Sequence, residues 1–173
     1  GFELKHTAIR SVWLSPGPSR KSNISGNNIQ NMEYGITLLN STRMKYGIFS
    51  NTISRTSYGI DLTGSLTTIA RGNIITFIPA AVSATGDTYG IKAVGPTLNG
   101  YYFENNTISG LGIAGTASED SYCISIENSG AVANRIFDNE LSQTDIGIQT
   151  QGNNGGATAA AAYMGLKIKC NHF

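Results

Sequence analysis

Three side chains in this 173-residue sequence have the types and spacing to begin acid–base chemistry together: Asp61, Lys92 and Glu127. Asp61 follows Tyr58-Gly-Ile60 directly and Lys92 follows Tyr89-Gly-Ile91 directly. Glu127 comes three residues after Tyr122-Cys-Ile124, one segment on and one outward position further. Two carboxylates around one bond are what glycoside hydrolysis requires, and an amine beside them is a candidate base. No His or Arg joins the three in this reading. The plainer expectation is an exposed ion pair between Asp61 and Lys92, which carries little energy.

Other side chains offer less. His6 and His172 stand near opposite ends, with no partner at metal-ligand spacing. Glu119-Asp120 is an acidic pair in a loop that could bind calcium together with backbone oxygens. Two adjacent acids are more simply solvated, so no cofactor or metal is expected. Cys123 and Cys170 are too few for a disulfide framework and are expected to remain unbonded. Tyr102 and Trp13 are the aromatic residues expected to be exposed for stacking on sugars, whereas Tyr101 and Phe103 fit inward positions. A phosphate loop, a Ser-His-Asp arrangement and a regular Thr-x-Thr array are all missing.

These candidates are placed by a repeat. Ile24-x-x-Asn27-x-Ile29 leads to Tyr34-Gly35-Ile36, and the same template recurs at Asn51, Asn73, Asn106, Asn139 and Asn171. Intervals between successive asparagines are 24, 22, 33, 33 and 32 residues. The shorter ones suit one turn of a parallel β-helix, and the excess falls between elements, as loops on a fixed scaffold do. The expected fold is all-β, a right-handed parallel β-helix of about six coils. Residues 1–21 read as an irregular lead-in or partial preceding coil. Residues 22–173 read as the coils, truncated at both ends from a longer protein. Stacking the coils turns Asn27, Asn51, Asn73, Asn106, Asn139 and Asn171 into an internal amide ladder at a bent corner. It turns Tyr34, Tyr58, Tyr89 and Tyr122 into an aromatic stack. Alternation along Tyr-Gly-Ile-x-Φ is expected to face Tyr and Ile the same way.

Composition narrows the function classes. Charged residues make up 13% of the chain and the net charge is +1, so there is no basic stripe to hold a nucleic acid. Regularly spaced hydrophobic residues, 40% of the total, argue against disorder. No apolar run is long enough to span a membrane.

The Asn-x-Ile and Gly-Ile pattern resembles the right-handed parallel β-helix repeat family, across roughly residues 22–173. The segment Gly165-Leu-Lys-Ile-Lys-Cys170-Asn171-His-Phe173 is similar to coils of secreted Bacteroidota proteins exported by type IX secretion. Members of the wider superfamily include polysaccharide lyases, glycoside hydrolases and phage tailspikes. A lyase of that kind would need carboxylates and an Arg or Lys base beside a uronate, which returns to Asp61, Lys92 and Glu127. The expected function is a non-enzymatic structural or adhesive segment of a large extracellular or bacterial cell-surface protein. Its expected partners are glycans, other surface proteins and flanking coils of the same chain. A fragment of a lyase or hydrolase, and a phage tail-fibre module, are the alternatives.

Overall fold

The computed structural model describes residues 7–12, 20–40, 44–64, 67–78, 86–95, 100–111, 120–155 and 165–173. Its seventeen strands follow one another around a helix of coils. One strand, β1 (Thr7–Val12), precedes the first full coil. That coil consists of β2 (Arg20–Ser25), β3 (Asn28–Gln30) and β4 (Tyr34–Leu39). Next come β5 (Met44–Phe49), β6 (Thr52–Thr56) and β7 (Tyr58–Thr63). The third coil has β8 (Thr67–Arg71), β9 (Ile74–Phe77) and β10 (Thr88–Val94). The fourth has β11 (Tyr101–Glu104), β12 (Thr107–Gly110) and β13 (Ser121–Glu127). The fifth has β14 (Asn134–Phe137), β15 (Glu140–Ser142) and β16 (Ile146–Gln151), and β17 (Leu166–Lys169) begins another.

Equivalent strands pair in parallel into three sheets. Sheet A is β1-β4-β7-β10-β13-β16, sheet B runs from β2 through β5, β8, β11 and β14 to β17, and sheet C from β3 through β6, β9 and β12 to β15. The chain is a right-handed parallel β-helix, as its repeat implies.

Each corner between sheets B and C is made by a left-handed residue followed by the repeat asparagine. Gly26, Ser50, Gly72, Asn105, Asp138 and Cys170 all have φ between 50 and 67°. Turning the chain there leaves buried backbone groups, and the amides satisfy them. Asn73 is typical: its Nδ2 donates to Asn106 Oδ1 at 2.9 Å and to the Ile48 carbonyl at 2.9 Å, and its backbone N–H donates to the same Asn106 oxygen at 3.1 Å. Its own Oδ1 accepts from the backbone and side chain of Asn51, each at 3.0 Å. Asn51, Asn73, Asn106 and Asn139 are at most 1% exposed, so a gap in this ladder would strand buried polar groups.

Inside, like stacks on like. Ile36, Ile60, Ile91 and Ile124 line sheet A, and Ile29, Ile53, Ile75, Ile108 and Leu141 line sheet C. Burying this apolar column is the main favourable term in the fold.

The glycine of Tyr-Gly-Ile corrects the expected alternation. A Cβ on Gly35 would lie 2.5 Å from the Gly59 carbonyl oxygen and 2.7 Å from Ile53 Cγ2. Gly59 and Gly90 meet Ile75 and Ile108 in the same way. The glycine therefore faces inward, between Tyr and Ile. Tyr34, Tyr58, Tyr89 and Tyr122 stack outside the core cluster, Tyr34 and Tyr58 half-buried and Tyr89 and Tyr122 buried beneath their neighbours. Cys123 takes the glycine position where the opposing side chain is Leu141. Leucine carries no methyl on Cβ, the Cγ2 position that blocks the other coils, and the Cys123 thiol there is fully buried.

Candidate functional site

Among the described residues, strand side chains that leave the core are placed to meet a ligand, and sheet A carries a continuous row of them. Its register places Arg10, Thr37, Asp61, Lys92, Ser125 and Gln149 opposite one another on successive coils, about 4.8 Å apart. Asp61 and Lys92 are thus adjacent, as their template positions imply. Glu127 is not with them. It lies opposite Val94 and Gln151, and its carboxylate accepts from Asn128 Nδ2 at 3.2 Å. Two coils and two residues separate it from Asp61, roughly 12 Å between Cα atoms. A hydrolase's pair of carboxylates is not assembled here.

Nor do Asp61 and Lys92 form the expected ion pair. The ion pairs among the described residues are Arg71–Glu104, Arg135–Glu104 and His172–Asp138. Lys92 turns instead onto the tyrosine column, its Nζ 4.4 Å from the Tyr89 ring centre and 5.6 Å from that of Tyr58. The column itself is continuous, with centroid separations of 4.6, 5.2 and 5.0 Å from Tyr34 through Tyr58 and Tyr89 to Tyr122. Cation–π attraction to two rings competes with the pull of one carboxylate across water.

Sequence reasoning missed Arg10. It lies in β1, where the template is unrecognisable, yet Ile9 pairs with Ile36 and Arg10 with Thr37. With Thr7, Tyr34, Thr37, Leu39 and Asp61 it lines a recess of about 280 Å³ on the outer face of sheet A. Two groups there lack partners among the described residues. Thr37 is 4% exposed and its hydroxyl makes no hydrogen bond. Asp61 is half-buried and accepts none. Burial pushes the Asp61 carboxyl above the usual carboxylate range, and the positive charge of Lys92 only partly offsets this. Tyr34, at the rim, is pushed up to about 12 by burial and by the neighbouring Tyr58 and Glu33.

A second charged cluster, also missed, lies on sheet B. Glu104 is held by Arg71 from one side and Arg135 from the other, with Nε donors at 3.1 and 2.6 Å. Burial alone would raise its pKa, but the two guanidinium groups outweigh burial and hold the carboxyl below the ordinary range. Arg135 also covers Tyr102, 5.8 Å from its ring centre, so the ring expected to be free for sugars is half-buried beneath a cation. Trp13, His6 and Glu119 lie outside the described residues. Asp120 is engaged: its carboxylate accepts from the Tyr122 hydroxyl at 3.1 Å and its N–H donates to Asp87 at 2.9 Å.

A family model described as "Periplasmic copper-binding protein (NosD)" matches residues 17–160. The chain belongs to this NosD family. No curated protein and no solved structure matches it significantly. Copper bound by protein favours thiolate, thioether and imidazole ligands. Among the described residues no three His, Cys, Asp or Glu side chains converge on one point. Cys123 donates its S–H toward the Ile108 and Ser142 carbonyls, and burial pushes the thiol up to about 11. It is thus a packed thiol. Cys170 is exposed, and His172 faces Asp138 at 3.8 Å. The described donor set of this NosD-family chain does not fit copper.

Proposed function

We propose that this chain is a non-enzymatic structural and adhesive stretch of β-helix in a protein that works outside the cytoplasm, and that it contacts glycans through the outer face of sheet A. One observation carries the reading. Among the described residues, the corner amides are occupied by the asparagine ladder, and Glu104 on sheet B is occupied by two arginines. The outer face of sheet A gathers Arg10, the Thr37 hydroxyl and the Asp61 carboxylate in one recess, with Lys92 beside it over the tyrosine rings. A rigid parallel sheet presents such groups at fixed spacing, so ordering them costs little on binding.

Location outside the cytoplasm is supported by the family's periplasmic description and by the likeness of Gly165–Phe173 to coils of secreted Bacteroidota proteins. That likeness favours type IX export to the cell surface. The copper of the family description is not part of the reading.

A screen of acidic and neutral oligosaccharides tests it, with binding and depolymerisation measured on the same samples. Binding without new reducing ends or unsaturated products is the expected result. Cleavage that disappears in Asp61→Asn would overturn the non-enzymatic reading and make Asp61 and Lys92 a catalytic pair.

A further inference from the structure

The near-neutral charge of the chain conceals a segregation. Seven of its twelve Lys and Arg, but only one of its eleven Asp and Glu, lie on the strands of sheet B. The strands of sheet A carry two residues of each sign and those of sheet C one of each. A net charge of +1 is thus an average over three faces, of which one is basic.

Alternation sets where these charges stand. Ala70, Phe103 and Ile136 pack in the core, so the strand residues on either side of each face outward. Register places Tyr102, Arg135 and Lys167 in one outer column, and Arg71, Glu104, Phe137 and Lys169 in the next. Four cations and one carboxylate leave three net positive charges on these rungs, within roughly 14 Å of helix. Lys167 and Lys169 are exposed and meet no carboxylate among the described residues. At the other end of the sheet, Lys21 and Lys45 pair in register.

The interleaved rings discriminate between anionic partners. Single-stranded nucleic acid on a cationic face stacks its bases on open aromatic platforms. Tyr102 and Phe137 are half-buried, and the Arg135 guanidinium covers both, 5.8 and 5.7 Å from the ring centres. Neither ring is open to a base. The two rings form weakly hydrated ground behind the charges, a composition suited to headgroup level, where rings and the stems of basic side chains meet lipid. Shape agrees. Side-chain ladders keep stacked parallel strands flat along the axis, so every rung meets a planar surface together, whereas a duplex of DNA curves away.

We propose that the outer face of sheet B lies against the phosphate headgroups of an anionic lipid bilayer, with Lys167 and Lys169 as its main contacts and the Arg71–Glu104–Arg135 latch beside them. The attraction is one of charge at the surface, and nothing inserts. It concerns a different face from the glycan reading and does not depend on it.

The test is co-sedimentation of the protein with vesicles of phosphatidylcholine alone and of phosphatidylcholine mixed with phosphatidylglycerol. Partition onto the mixed vesicles is expected, and added salt should reverse it. Lys167→Gln and Lys169→Gln should each weaken it about fivefold, and together about thirtyfold. Arg55→Gln, which removes the same charge from sheet C, should leave it unchanged. All three side chains are exposed, so the variants keep the fold, and melting curves confirm this for each protein. Equal partition onto both kinds of vesicle, partition onto neither, or an effect of Arg55→Gln as large as that of the lysines overturns the proposal. So does binding of single-stranded DNA that is lost in the lysine variants while vesicles are ignored. Each of these outcomes leaves glycan contact at sheet A to be decided by its own screen.

Discussion

Sheets A and B each set a carboxylate between two basic residues along the helix axis, and the outcomes are opposite. On sheet B, Arg71 pairs in register with Glu104, and Arg135 reaches the same carboxylate from the other side. That carboxyl is 5% exposed and its proton is held less tightly than usual. On sheet A, Lys92 pairs in register with Asp61 but lies over two tyrosine rings, and Arg10 is a coil further away with Thr37 between. There burial wins and the proton is held more tightly. The difference comes from reach and competition. Glutamate is one methylene longer than aspartate, and arginine has five donors against the three of a lysine already drawn to an aromatic column. Similar charges on similar rungs thus make a latch on one face and an open recess on the other.

Both faces hang on the asparagine ladder, so the largest predicted effect comes from breaking it. Asn106→Ala removes the acceptor of two Asn73 donors and the donor to the Ala70 carbonyl. It should cost on the order of 3 kcal/mol or more, read as a lowered denaturant midpoint, and should loosen both faces together. Next in size is Glu104→Gln, which leaves two guanidinium groups facing a neutral amide. Because both arginines are about half exposed, the expected loss is about 2 kcal/mol and should shrink in high salt.

Acid separates the two carboxylates by sign. A lowered folded-state pKa means that Glu104 stabilises above the ordinary unfolded value and loses that contribution as pH falls through its own titration. Asp61 does the reverse. Its raised pKa makes the folded state bind the proton more tightly, so its contribution declines as pH rises from the unfolded value through the folded one. Lys92, Arg10 and Tyr34 are the other titratable groups facing it. Asp61→Asn should therefore raise the melting temperature at neutral pH and leave it unchanged near pH 3, whereas Glu104→Gln should lower it at neutral pH and matter little in acid. The smallest effect is expected from Thr37→Val. Replacing a buried, unpartnered hydroxyl by a methyl should stabilise by about 1 kcal/mol, and Thr56→Val by a similar amount.

The coil and its corner were legible in the residues because Asn-x-Ile recurs with little variation and leaves few architectures open. The direction of the tyrosines was not legible. Period-two alternation assumes an unbroken strand, and the inward glycine breaks it. Arg10 was hidden because β1 keeps only Ile9 of the template. Aligning Ile9-Arg10 beneath Ile36-Thr37 would have exposed it. The latch was nearer to hand, since Arg71 and Glu104 both stand two residues before a repeat asparagine and must therefore be neighbours. Recognising that they close on each other required knowing that Arg135, four residues before Asn139, reaches across as well. Lys92 was placed on the right rung but given the wrong partner, because spacing along a chain does not reveal whether an ammonium prefers a carboxylate or a pair of rings.

Titrating the side-chain carboxyls of Asp61 and Glu104 by carbon-detected NMR addresses the contrast between the two faces directly. The result predicted is an Asp61 pKa above the ordinary carboxylate range and a Glu104 pKa below it. Two carboxyls displaced in the same direction would contradict it.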